Sequence, residues 1–115
     1  MKNPQLQELI IELKKASIQN DAPVWKRIAT ILESSTQRRP VVNLSKIEKY
    51  AREEEIILVP GKVLSMGILT KKITIAAHTF SHSAVEKIKA SGSKAITLHE
   101  LLKKNPDGSK VRILG

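Results

Sequence analysis

The sequence predicts an α/β chain in which helices come first and strands then alternate with helices. Three observations carry this reading. Apolar residues recur at helical spacing through the first fifty positions, the pattern of helices with one buried face. Ile56 to Val59 is an unbroken apolar run, mostly β-branched, which fits a strand buried on both faces better than a one-sided surface strand. After it, short apolar runs alternate with Ser/Thr residues followed three positions later by Glu, the spacing of helix capping boxes.

Asn3 can cap the first helix, and Pro4 at its first position loses no hydrogen bond. Leu6, Leu9, Ile10, Leu13 and Ala16 then share a face, while Ile11 and Ile18 form a weaker second stripe. Asn20-Asp21-Ala22-Pro23 ends this helix and opens another, with Trp25, Ile28, Ile31 and Leu32 on its buried side and Lys26 and Arg27 on its wet side. Trp25 is expected as a core anchor. Ser34 to Pro40 contains no apolar residue but two adjacent arginines, Arg38 and Arg39. It reads equally as a solvated linker and as a basic loop whose guanidiniums lie on phosphates. Asn43 is expected to cap a third helix, in which Leu44, Ile47 and Ala51 face inward. Lys46 and Lys49 face outward there, and Lys49 stands in i,i+4 relation to Glu53.

The stretch Ile56–Leu69, IILVPGKVLSMGIL, is the one around which the rest is arranged. Pro60-Gly61 predicts a type II turn, with Gly61 at positive φ and Lys62 lifted into solvent. Gly67 marks a second place for close backbone approach. Ile73 to Ala77 reads as a strand, Ser81 or Ser83 as the cap of the next helix, and Gly92 as that helix's end. Ser83 with Glu86 and Thr97 with Glu100 have capping-box spacing. Ala95-Ile96 is a short strand, followed by a helix with Leu98, Leu101 and Leu102 on one side. After the turn Asn105-Pro106-Asp107-Gly108, a closing strand carries Val111, Ile113 and Leu114 with Lys110 and Arg112 interleaved. The expected order is three helices, an irregular β segment, then βαβαβ. We read residues 1–115 as one domain, with a helical part over 1–55 and a basic, β-rich part over 56–115.

A chain of 115 residues can build a core without staples. The lack of cysteine excludes disulfides, thiolate chemistry and Cys-based zinc sites. The N-terminus runs into a polar helix signal, and no apolar run approaches the roughly 20 residues that span a bilayer. A soluble, intracellular protein with no membrane partner is expected. The net charge of +9 points to an anionic partner, nucleic acid first. Its placement says more than its total. Residues 1–55 hold ten basic and eight acidic side chains, a net of +2, whereas residues 56–115 hold ten and three, a net of +7. Trp25, Tyr50 and Phe80 are the only aromatic residues. Single-strand binders rely on several stacking platforms, so phosphate and shape contacts with a folded or double-stranded target are expected instead.

Catalytic chemistry finds little footing. Gly61-Lys62 is not a P-loop, because Ile56 stands where the first glycine belongs and Val63 where Ser or Thr is required. No dinucleotide fingerprint follows a strand. His78 with Ser81 is the best base-and-nucleophile pair, yet it has no nearby Asp and no elbow motif. His78, His82 and His99 are scattered and do not make a metal site. The sequence therefore predicts no enzyme, no cofactor, no metal and no small-molecule substrate. Three helices followed by β structure also fit a winged-helix-like DNA-binding regulator. The long gap from Glu33 to Asn43 and the concentration of charge after the helices speak against it.

Four passages carry a family resemblance: NPQLQELIIELKKAS at 3–17, VNLSKIEKYA at 42–51, VPGKVLSMGIL at 59–69 and NPDGSKVRIL at 105–114. In this order, along nearly the whole chain, they resemble the archaeal and eukaryotic large-subunit ribosomal protein family L-eighteen-e, a relative of bacterial L-fifteen. The compact length is similar to the archaeal form. The resemblance implies an α/β fold in which N-terminal helices precede an irregular β-β-α, superhelix-like mixed part. It also implies a structural constituent of the large ribosomal subunit in the cytoplasm, with ribosomal RNA and neighbouring ribosomal proteins as partners. The expected RNA-binding residues are Arg38 and Arg39 in the linker, Lys46 on the third helix and Lys62 at the Pro-Gly corner. Lys71 and Lys72 after the central stretch, and Lys110 and Arg112 on the closing strand, complete the set.

Overall fold

A computed structural model describes residues 4–34, 36–52 and 55–115. The expectations placed on Asn3 as a cap and on Glu53 as partner of Lys49 fall outside the described residues, as do Ser35 and Glu54. The elements are α1 (Pro4–Gln19), α2 (Pro23–Glu33), a 3-10 turn (Thr36–Arg38), β1 (Val41–Asn43), α3 (Leu44–Tyr50) and β2 (Ile56–Leu64). Then follow β3 (Thr74–Phe80), α4 (His82–Ala90), β4 (Lys94–Thr97), α5 (Leu98–Lys104) and β5 (Val111–Ile113). The class is α/β, as expected.

Every strand pairing is parallel. β3 lies on one edge of β2, with β4 beyond it. The other edge of β2 is shared end to end: β5 pairs with Ile56–Leu58 and β1 with Lys62–Leu64. Parallel strands need both faces covered, and the side chains divide accordingly. Ile57, Val59, Val63, Ile75 and Ala77 join Leu44 and Ile47 of α3 and Ala84 and Ile88 of α4 in one cluster. Leu58, Ala76 and Ile96 face the other way, into Leu9 and Leu13 of α1, Trp25 and Ile28 of α2 and Leu101 of α5. Trp25 is the core anchor the sequence predicts, and its indole Nε1 also donates to the Pro106 carbonyl at 2.7 Å. That bond ties the second helix to the turn before β5.

This layering removes the winged-helix alternative. α2 and α3 pack on opposite faces of the sheet, so they form no helix-turn-helix unit.

Side-chain caps start two of the helices, α4 and α5. Ser81, not Ser83, caps α4 by accepting from the Ala84 N–H. Thr97 and Glu100 form the expected capping box. Asn43 occupies the cap position of α3 without capping it; its side chain accepts instead from the Met66 N–H at 3.3 Å. Three-residue β1, between Pro40 and the helix start, was not anticipated from the sequence.

The largest correction concerns Pro60-Gly61. These residues do not turn the chain; they lie within β2, and Gly61 is not among the residues with positive φ. The pairing with β3 shifts register between Val59 and Lys62, so the two residues sit in a bulge. A proline lacks the N–H that a ladder needs, and a bulge is where a central strand can carry one. The glycine serves close approach: a Cβ built on Gly61 would lie 1.9 Å from the Pro40 carbonyl oxygen. That carbonyl accepts the Lys62 N–H at 3.0 Å. Gly67, by contrast, does have positive φ, at 102°, and does lie against Ser45.

Replacing Gly61 with alanine or valine should therefore push β1 off the sheet edge and destabilise the protein by about 3 kcal/mol or more. A left-handed turn would tolerate asparagine at this position, whereas the contact with Pro40 would not. A urea denaturation midpoint for Gly61→Asn equal to that of the unsubstituted protein would refute the contact.

Candidate nucleic-acid interface

The candidate basic residues divide between the two ends of the parallel sheet. β2 spans nine residues, so at about 3.3 Å per residue the two groups stand roughly 25–30 Å apart.

At the carboxyl end, Arg38 and Arg39 precede Pro40, whose carbonyl holds the Lys62 N–H. Val63 points into the core, so its neighbour Lys62 projects from the opposite side of the strand and is exposed. The bulge thus fixes Lys62 where the sequence placed it, by a different device. Lys46 is exposed on the first turn of α3. Arg39 is turned partly inward: its Nη2 donates to the Leu32 carbonyl at the end of α2, at 3.0 Å, and its Nε is buried with no partner among the described residues. His78 lies close by. Burial, and secondarily the Arg39 charge, push its imidazole below the ordinary pKa and favour the neutral form. Ser81 is engaged as a helix cap, and no hydrogen bond joins it to His78 among the described residues.

At the amino end, Lys72 and Lys94 line a shallow cleft of about 250 Å³ with Glu55, Ile56, Ile73, Thr74 and Gly92. Lys110 adjoins this end, since its carbonyl accepts the Ile56 N–H at 2.8 Å. It is held at φ 60°, a left-handed conformation that costs a non-glycine residue on the order of 1 kcal/mol. Arg112, half-buried, lies 3.5 Å from Glu55. Lys71 is committed within the chain. Its Nζ donates to the carbonyls of Glu48 and Ala51, each at 2.6 Å, where the last turn of α3 leaves acceptors open.

The structure therefore separates the eight candidate residues by use. Arg38, Lys46, Lys62, Lys72 and Lys110 are exposed, and none makes a side-chain hydrogen bond or ion pair among the described residues. Arg39, Lys71 and Arg112 also brace the fold. Two further lysines, Lys87 and Lys94, were not singled out from the sequence. Lys87 donates to the carbonyls of Ser65 and Gly67 at 2.8 and 3.1 Å, and Lys94 shares the cleft with Lys72. The available signal for Lys94 was its place directly before the short strand Ala95-Ile96.

Glu48 locks the segment between β2 and β3. Its carboxylate accepts from the Thr70 hydroxyl, from the Thr70 N–H at 3.0 Å and from the Lys71 N–H at 3.3 Å. The Thr70 hydroxyl foremost, then the Thr70 N–H, hold its pKa below the ordinary value of 4.5. A carboxyl group lowered in the folded state adds stability that is complete above the ordinary value and disappears as pH falls through the folded one. The Tm gap between the unsubstituted protein and Glu48→Gln should accordingly be constant near neutrality and close as the pH drops below 4.5. A gap that persists unchanged in acid would show that these bonds do not need the charge.

Among the described residues no helix is long and apolar enough to cross a membrane, and no group of His, Cys, Asp and Glu is arranged to hold a metal. The profile of the family described as "Ribosomal protein 60S L18 and 50S L18e" matches residues 2–115. The chain is 50% identical over 112 residues to the large ribosomal subunit protein eL18 of Methanosphaerula palustris, covering 97% of this chain and 93% of that one. It is 46% identical over 112 residues to the eL18 proteins of Methanococcus maripaludis and Archaeoglobus fulgidus, again covering 97% of this chain, and 93% and 96% of theirs. With the whole basic framework lying inside the matched residues, the chain belongs to the family of ribosomal proteins 60S L18 and 50S L18e.

Proposed function

We propose that this protein is a structural constituent of the large ribosomal subunit in the cytoplasm, where it binds folded ribosomal RNA and neighbouring ribosomal proteins. Its work is mechanical and electrostatic. Two groups of exposed cations at opposite ends of β2 each meet a phosphate-bearing segment of RNA, and the rigid sheet sets the distance between them. Packed phosphates repel; fixed ammonium and guanidinium groups displace the counterions that would otherwise screen them. Base readout plays a small part, because only three aromatic residues are present and Trp25 is fully buried.

The observation that carries this reading is the division of the cations in a member of a ribosomal family. Lys62 and Lys46 lie at one end of the sheet, Lys72, Lys94 and Lys110 at the other, all exposed. A clamp needs charges on two separated sites held by a stiff body. Three strands hydrogen-bonded to β2 provide that stiffness.

Affinity for large-subunit RNA should fall steeply with salt. Lys62→Ala and Lys110→Ala should each reduce the log–log slope by about 0.9 where the contacted RNA is duplex-like, and the double variant by about twice that. Filter binding across a salt series, with sucrose-gradient sedimentation of cell extracts, checks both the slope and co-migration with the large subunit. A flat slope in the unsubstituted protein, or its absence from large particles, would overturn the assignment.

A further inference from the structure

Met66 and Ile68 are 69% and 76% exposed, yet the segment that carries them is pinned from several sides. The Met66 N–H donates to the Asn43 side chain at 3.3 Å, and its carbonyl accepts the Ser45 N–H at 3.0 Å. Lys87 reaches over from α4 to the carbonyls of Ser65 and Gly67. Gly67, at φ 102°, lies so close to Ser45 that a Cβ there would stand 2.6 Å from the serine Cβ. Leu69 beyond it is buried. Two large apolar side chains are thus held out into solvent by a backbone that is fixed before any partner arrives.

Nothing in the fold needs this display. Burying either side chain would contribute roughly 1.5–3 kcal/mol, and Leu69, one residue on, shows that the chain can turn an apolar group inward here. The neighbours say what kind of surface meets the tip. Lys46 follows Ser45 directly, Lys62 lies on the strand that leads into the loop, and Lys87 bridges its base; all three are exposed. The nearest carboxylate on α3, Glu48, is occupied by Thr70 and Lys71. An apolar knob with an exposed lysine beside it and a second lysine braced at its base fits a ligand that presents a flat apolar face next to negative charge.

We propose that Met66 and Ile68 form a preformed apolar finger that packs against an unstacked nucleobase of the ribosomal RNA, while Lys46 beside it meets a flanking phosphate. The inference rests on the RNA-binding reading above and adds to it a base contact that the scarcity of aromatic residues would not suggest. Aliphatic side chains that wedge against bases act through the same apolar contact, and a finger ordered in advance loses little entropy on docking.

The double substitution Met66→Ala with Ile68→Ala removes exposed groups only, so its thermal melt should match that of the unsubstituted protein. Its affinity for naked large-subunit RNA should fall roughly tenfold at every salt concentration, with the slope of the salt dependence unchanged because no phosphate contact is lost. Chemical probing of the bases should show one protected nucleotide becoming reactive, while backbone protection around Lys62 persists. Wild-type affinity and wild-type base protection in the double variant would overturn the finger. Normal binding to naked RNA combined with loss from assembled particles would overturn it too, and would place a protein on the tip. Failure of the unsubstituted protein to bind RNA in a salt-dependent way would strike the parent reading, which this comparison of variants leaves distinguishable.

Discussion

The backbone of β2 is the constraint on which the rest of the molecule depends. It makes hydrogen-bonded contact with three strands, β3 on one edge and β5 and β1 in succession on the other, and its side chains are buried on both faces from Ile57 to Val59. For one edge to serve two strands, the chain must pass between them at mid-height. That passage is made by Pro40, pressed against Gly61. A missing N–H at Pro60 and a missing side chain at Gly61 are what let it fit, so a dipeptide that usually breaks strands here permits one.

From this arrangement follows the position of the charges. Parallel strands leave their connections at the two ends of the sheet, and Arg38, Lys62, Lys72, Lys94 and Lys110 lie on those connections or on the strand ends beside them. Some cations are used inward. Lys71 closes the last turn of α3, Lys87 fixes the loop after β2 and Arg39 holds the end of α2. Each gives up some freedom to bind and in return stiffens the segment carrying a neighbour that is exposed. Prepositioned charge loses less entropy when it meets phosphate than charge on a mobile tail, which is consistent with a framework that hydrogen-bonds its loops so thoroughly. The same economy governs the tip at Met66 and Ile68, where a glycine at positive φ and a serine backbone fix the presentation of two apolar groups.

Local patterning along the chain settles the helices and most of the strands, and its charge points to the class of partner proposed. Helical spacing, the buried run at Ile56–Val59, the Thr97–Glu100 box and the Asn105–Gly108 turn are local signals, because each depends on residues within a few positions of one another. The excess of basic residues after position 55 needs no structure to be seen. Tertiary structure alone decided that Pro60-Gly61 is a bulge, that Val41–Asn43 is a strand, and that Lys71 faces inward while Lys62 and Lys110 do not. Those outcomes turn on a partner twenty or more residues away in sequence: Pro40 against Gly61, Lys62 beside Val41, the carbonyls of Glu48 and Ala51 around Lys71. A turn dipeptide read locally has its own preferred geometry; a distant backbone that bonds to it and fills the space beside it can impose another.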